Sequence, residues 1–254
     1  QSMRALLERA MQDNDPALAM AIAVDVQTGD VLAVDAIDAY GMGGFLPTLH
    51  TYTPGSTMKA VVMAAALEEG VVTPEEQIDA HHDSFVFEGR RIHEAEGAKD
   101  KGLVTAAEGL AYSINAVLVQ IGTRMSAEAL RGHLIALGYA QPVNAGLGSE
   151  RVGTLLRLPW VRKYTHASVC FGHELQVTLW QHATALATIL RGGHYRPLRL
   201  VKAVEQYGVT KSVPLVEDHP LQAHDSLSRK TCDEVREMMA LGARIGTGRK
   251  VWRE

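Results

Sequence analysis

The sequence is poor in several things, and each shortage excludes a class of protein. Of 254 residues only two are cysteine, Cys170 and Cys232. They lie far apart and fit neither a disulfide framework nor a zinc site. Basic residues do not outnumber acidic ones: 25 Lys+Arg against 29 Asp+Glu leave a formal charge of −4. A nucleic-acid footprint is strongly basic, so no nucleic-acid partner is expected. No apolar run approaches the ~18 residues of a membrane span. The start, Gln1-Ser2-Met3-Arg4, has no basic region followed by an apolar one, so no signal peptide is read there. The eleven histidines, His81, His82, His93, His166, His173, His182 and His194 among them, show no H-E-x-x-H or related spacing. No metal site is expected. What remains is a globular composition, 46% hydrophobic and 21% charged, with the two kinds mixed throughout. Such a chain is not disordered, and it is long enough to bury a core without staples.

Strand and helix signals alternate along the chain. Residues 18–26 and 30–36 are rich in Val, Ala and Ile and flank Gln27-Thr28-Gly29, which predicts a β-hairpin. Residues 39–50 hold glycines and a proline and read as a loop. From Ser56 to Glu69 the pattern is helical and apolar nearly all round, as in a buried helix, and Gly70 ends it. Thr105 with Glu108 forms a capping box, residues 115–124 read as a short helix, and Ser126 caps a third helix running to Gly138. Thr178 with Gln181 opens a further helix that ends at Gly192-Gly193. Residues 198–207 and 211–217 have strand character. Thr231 with Glu234 is read as the start of a last helix ending near Gly246. The polar stretch from Asp79 to Glu96 is read as a loop rather than an acidic catalytic pair. The whole predicts one α/β domain of the α+β type, a mainly antiparallel sheet flanked by helices.

Two short motifs carry chemistry. In Pro54-Gly55-Ser56-Thr57-Met58-Lys59, a serine and a lysine three apart share one helix face. A lysine in an apolar setting has a lowered pKa and can take a proton from the serine. Ser56 stands at a helix start, where free N–H groups favour a developing oxyanion. S-x-x-K alone is weak, since it arises by chance about once in a chain of this length. Here, however, Lys59 is embedded in one of the most apolar helices. The second motif is Tyr112-Ser113-Ile114-Asn115, between two helix signals. A hydroxyl and an amide two residues apart can enter one cleft to relay a proton and bind a substrate carbonyl. Ser and Asn are equally ordinary helix caps.

Taken together, the order, spacing and flanks of these motifs resemble the transpeptidase domain of penicillin-binding proteins, whose motif set is S-x-x-K, a Ser-Asp-Asn-type triplet and K-T-G. The resemblance runs through AMAIAVDVQTGDVLAVDA, TYTPGSTMKAVVMAAALEEGVVTP, GLVTAAEGLAYSINAVLVQIGTRM and ASVCFGHELQVTLWQHATALATILRGGHYRPLRLV. With no glycosyltransferase segment, it is to the class B, monofunctional lineage. The resemblance implies that Ser56 is the acylated nucleophile and Lys59 its base. It implies that Ser113 passes the proton toward the leaving amine and that Asn115 orients the acyl donor. It also implies a D,D-transpeptidase that needs no cofactor and acts on D-Ala-D-Ala stem peptides and an acceptor amine, with β-lactams acylating the same serine. Partners would include a glycosyltransferase and other cell-wall assembly proteins. The catalytic domain would be extracytoplasmic, tethered to the bacterial inner membrane by an anchor outside this chain. A D,D-carboxypeptidase, a β-lactamase, and a non-catalytic sensor or scaffold are the alternatives.

K-T-G is not found. Lys230-Thr231-Cys232 is a decoy that begins a helix, and residues 244–250 fail the phosphate-loop spacing. Residues 1–254 are therefore expected to be a transpeptidase domain lacking its C-terminal strands and helix, with an N-terminal anchor and non-catalytic domain also absent.

Overall fold

The predicted N-terminal hairpin forms with its alternating residues in antiparallel register, Leu18 opposite Asp38 and Ile22 opposite Val34. This computed structural model describes residues 2–41, 43, 46–82, 84–94, 101–143, 145–147, 150–160, 163–212 and 223–250. Along the chain come α1 (Met3–Asn14), β1 (Leu18–Val24), β2 (Val31–Asp38), α2 (Leu46–Leu49), β3 (Thr51–Tyr52), a 3₁₀ turn (Gly55–Met58) and α3 (Lys59–Glu68). Next are β4 (Gln77–His82), β5 (Ser84–Phe87), β6 (Arg90–His93), β7 (Lys101–Thr105), α4 (Ala106–Ala111), α5 (Asn115–Gly122) and α6 (Ala127–Ala136). Then follow β8 (Thr154–Leu155), α7 (Lys163–Cys170), β9 (Leu175–Thr178), α8 (Leu179–Leu190) and β10 (His194–Tyr195). The last are β11 (Ala203–Gln206), β12 (Val209–Ser212), β13 (His224–Asp225), α9 (Arg229–Ile245) and a 3₁₀ turn (Thr247–Lys250). The ladders are short and antiparallel, among helices.

The chain divides into two compact units. The first comprises residues 1–52, 135–154 and 176–225. In it α1 and α8 pack on the β1–β2 hairpin. Trp180 on α8 is buried with Val143 and Leu198, and Ile22, Val24 and Val31 close over them. Arg199 Nε donates to Asp30 Oδ1 at 2.6 Å and ties the hairpin turn to the strand-end segment after β10. The capping box Thr178–Gln181 starts α8 as predicted, with both reciprocal hydrogen bonds present.

The second unit comprises residues 53–134, 155–175 and 226–254, and it carries both sequence motifs. Its centre is α3, in which every residue from Lys59 to Ala66 is buried. A helix apolar on all faces must be covered on all faces, and α5, α9 and α4 do so. Each fully buried Val or Met side chain there stabilises the unit by ~1.5–3 kcal/mol. Glycines let the helices approach closely. A Cβ on Gly109 would overlap Val117, and one on Gly122 would overlap the Cys170 thiol and lie 3.2 Å from Val62 Cγ1. Cys170 and Cys232 are both buried free thiols.

Several expectations change. The stretch from Asp79 to Glu96 is not a loop over its described residues: it holds β4, β5 and β6, with Ile78, Ala80 and Ile92 pointing inward. Exposed Asp79, Arg90 and Arg91 stand among these inward residues and conceal the strands. The last helix starts three residues early. Ser228, not Thr231, is the N-cap, and its hydroxyl accepts from the Thr231 N–H at 3.2 Å. The helix expected from Ser56 opens instead as a 3₁₀ turn that becomes α-helical at Lys59. A single turn of helix, α2, interrupts the loop of 39–50. Residues 198–202 are not strand, and 213–217 lie outside the described residues.

The close pass of α5 over α7 makes a stability prediction. Gly122→Ala should destabilise the protein by about 1–3 kcal/mol through overpacking. In urea melts the double variant Gly122→Ala/Cys170→Ala should be more stable than Gly122→Ala alone, because the thiol that blocks the new methyl is gone.

Candidate active site

Pro54 and Gly55 turn the chain sharply into the Ser56 segment. Gly55 has φ 56°, in the left-handed region that glycine enters without strain. Its N–H donates to the Gly172 carbonyl at 3.0 Å, and the Thr57 hydroxyl donates to the Pro54 carbonyl at 2.8 Å. Gly172, at φ 82°, lies so close that any Cβ there would strike the Gly55 carbonyl. The loop after α7 therefore braces the turn from outside. That loop is itself held by Glu174, which accepts from the Thr165 and Ser168 hydroxyls at 2.7 and 3.0 Å. On this turn Ser56 is exposed, and its hydroxyl makes no hydrogen bond among the described residues. In a 3₁₀ turn, residues three apart eclipse, so Lys59 follows Ser56 on one line.

Lys59 is 1% exposed. Its ammonium donates to the Ser113 carbonyl at 2.6 Å and to the Ser113 hydroxyl at 3.0 Å. Burial pushes its pKa down to about 8, against the opposing pull of the Glu94 carboxylate. The two sequence motifs thus meet through Lys59 and Ser113.

Ser113 stands in a strained conformation, φ 59°, at the junction of α4 and α5. The N–H groups of Ser113 and Ile114 donate to the carbonyls of Leu110 and Gly109, at 3.0 and 2.9 Å. This is the Schellman pattern at the end of α4, with serine in the left-handed position that normally falls to glycine. A left-handed serine costs on the order of 1 kcal/mol or more, and such strain concentrates at functional positions. It turns the residue so that both its carbonyl and its hydroxyl reach one amine.

Asn115 is the first residue of α5. Its side-chain amide donates to the His93 carbonyl at 2.7 Å, and its backbone N–H donates to Glu94 at 2.7 Å. Glu94 does not stand out in the sequence, because the polar stretch around it reads as a loop. A signal was there: Ile92 and Glu94 are two apart, on the same buried face of one strand and its extension. Among the described residues no three His, Cys, Asp or Glu side chains group to hold a metal ion.

The strain at Ser113 can be measured. Both Ser113→Gly and Ser113→Ala lose the hydroxyl, but only alanine keeps the left-handed penalty. The glycine variant should be the more stable by about 1 kcal/mol, the reverse of the usual order in a helix. Equal stabilities in thermal melts would remove the strain from the account.

Comparison with known proteins gives the family and the fold. A family model described as the penicillin binding protein transpeptidase domain matches residues 19–251. Stage V sporulation protein D of Bacillus subtilis (strain 168) is 27% identical over 267 residues, which is 98% of this chain and 40% of that protein. Peptidoglycan D,D-transpeptidase FtsI of Escherichia coli (strain K12) is 29% identical over 206 residues, 77% of this chain and 34% of that protein. This chain therefore spans well under half the length of these curated relatives. A peptidoglycan glycosyltransferase from Burkholderia ambifaria has the same fold, with a TM-score of 0.82 at 24% identity over 95% of this chain and 71% of that one. Penicillin binding protein 3 from Mycobacterium tuberculosis, complexed with aztreonam, aligns with a TM-score of 0.80 at 24% identity over 92% of this chain and 53% of that one. With a family match over most of its length, the chain belongs to the penicillin-binding-protein transpeptidase domain family.

Proposed function

We propose that the chain is the acyl-transfer unit of a serine peptidoglycan D,D-transpeptidase that is also acylated by β-lactams. The observation that carries this reading is the buried Lys59 amine, held by the Ser113 carbonyl and hydroxyl just after the exposed Ser56. A neutral amine has two N–H bonds and one lone pair. With both N–H bonds directed to Ser113, the lone pair is left to take the Ser56 proton.

In the proposed reaction Ser56 Oγ attacks the carbonyl carbon of the penultimate D-alanine, and its proton moves to Lys59. The peptide C–N bond breaks. The proton passes through the Ser113 hydroxyl to the departing D-alanine amine, leaving an ester on Ser56. The acceptor amine then attacks the ester, its proton returns along the same path, and the C–O bond to Ser56 breaks. Asn115 keeps its Oδ1 and one N–H to orient the acyl donor. With a β-lactam the broken C–N bond lies in the ring, so the amine stays attached and no product leaves. The relatives named as peptidoglycan D,D-transpeptidases support transfer to an amine over transfer to water. So does the solved relative complexed with aztreonam, for the β-lactam part. On this reading the chain works outside the cytoplasm. No helix among the described residues is long and apolar enough to cross a membrane.

The test is labelling of the full-length protein with a fluorescent penicillin. The wild type should form a long-lived adduct, and Ser56→Ala and Lys59→Ala should form none. Labelling that persists in Ser56→Ala would falsify the nucleophile assignment, and rapid turnover of the penicillin would assign a hydrolase. The rate should also depend on pH in a stated direction. Lys59 acts as a base only when neutral, and its pKa is about 8. Below that pH the acylation rate should fall about tenfold per unit, and above it the rate should level off.

A further inference from the structure

α5 lacks a cap of its own. Its N-cap residue is Ile114, whose side chain accepts nothing. The first N–H groups of a helix need acceptors, and buried ones that go without are costly. Glu94, just beyond β6, supplies them from 21 and 22 residues away in the chain. It is 8% exposed, and its two carboxylate oxygens accept separately from the N–H groups of Asn115 and Ala116, each at 2.7 Å. The neighbouring His93 carbonyl accepts from the Asn115 side chain at 2.7 Å. The end of β6 thus grips residues 115 and 116 at three donors. One residue earlier is Ile114, and before that Ser113, strained and bonded to Lys59.

We propose that Glu94 is a positioning residue for acyl transfer: by capping α5 it holds the Ser113–Asn115 turn in register against Lys59. The proposal rests on the functional reading above. A neutral cap such as serine offers one acceptor, whereas the carboxylate offers two, in charge-assisted bonds at the positive end of the helix. Without them only the His93 carbonyl still ties the start of α5 to β6, and the left-handed Ser113 has a route to relax. The same negative charge acts directly on Lys59. Of the elements packed against α3, α5 carries no charged side chain and α4 carries Glu108. On α9 are Arg229, Lys230, Asp233, Glu234, Arg236, Glu237 and Arg244. Among these groups and Glu94, it is Glu94 that shifts Lys59.

The experiment is a time course of fluorescent-penicillin acylation of the full-length protein across penicillin concentrations and pH. It separates the maximal acylation rate from the half-saturating concentration. Wild type and Ser56→Ala come first: a wild type that does not label sinks the functional reading itself, before Glu94 is examined. Given labelling, Glu94→Gln should lower the maximal rate by roughly 10²-fold with little change in half-saturation. Its acid limb should move to lower pH, since Lys59 loses the charge that favours its protonated form. Glu94→Asp, which keeps the charge but withdraws the oxygens, should recover part of the rate. The proposal is overturned if folded Glu94→Gln labels at the wild-type maximal rate with an unmoved acid limb, whatever its melting temperature. If Glu94→Gln does not fold, Glu94→Asp decides alone: a wild-type rate overturns the proposal and a reduced one supports it.

Discussion

An ammonium group sits where water cannot solvate it, and much of the second unit is organised around that fact. Lys59 opens a helix whose next seven residues are all buried. A lone charge in such a place is costly unless it is hydrogen-bonded or gives up its proton. The protein does some of both. Ser113 provides two oxygens, and burial brings the amine within reach of neutrality near physiological pH. The left-handed backbone at Ser113, the glycine-like end of α4 and the borrowed cap of α5 each follow from presenting those two oxygens to one nitrogen.

What could be read from the sequence was what is encoded locally. The capping boxes at Thr105 and Thr178 need only four residues each, and both form as read. The hairpin of β1 and β2 and the buried character of α3 rest on short periodic patterns, and they too appear in the fold. The Ser56, Lys59, Ser113 and Asn115 motifs could be named, but their roles rest on a pairing between residues 54 positions apart. No local rule states that distance. A resemblance to a family supplied what spacing could not.

What was missed was non-local or masked by charge. The strands between residues 77 and 93 carry exposed Asp79, His82, Arg90, Arg91 and His93, which hide the inward Ile78, Ala80 and Ile92 in the sequence. Glu94 was passed over with them, although its role requires both that strand end and the start of α5. At α9 the error was one of degeneracy. Ser228 and Thr231 are both good caps three residues apart, and the earlier one takes the position while Glu68 accepts its N–H. Local rules rank the two alike, and tertiary contact decides.

The bracing of the Ser56 turn by Gly172 has a further consequence. Two backbones touch there with no side chain between them, so the turn and the loop after α7 have no separate freedom to vary. Behind the turn, α3 is covered on every face. Opening at Ser56 thus requires the core of the unit to open with it, and amide protons in α3 should exchange only through that cooperative event. On heating, the Ser56 turn would then be lost together with the unit, rather than fraying before it.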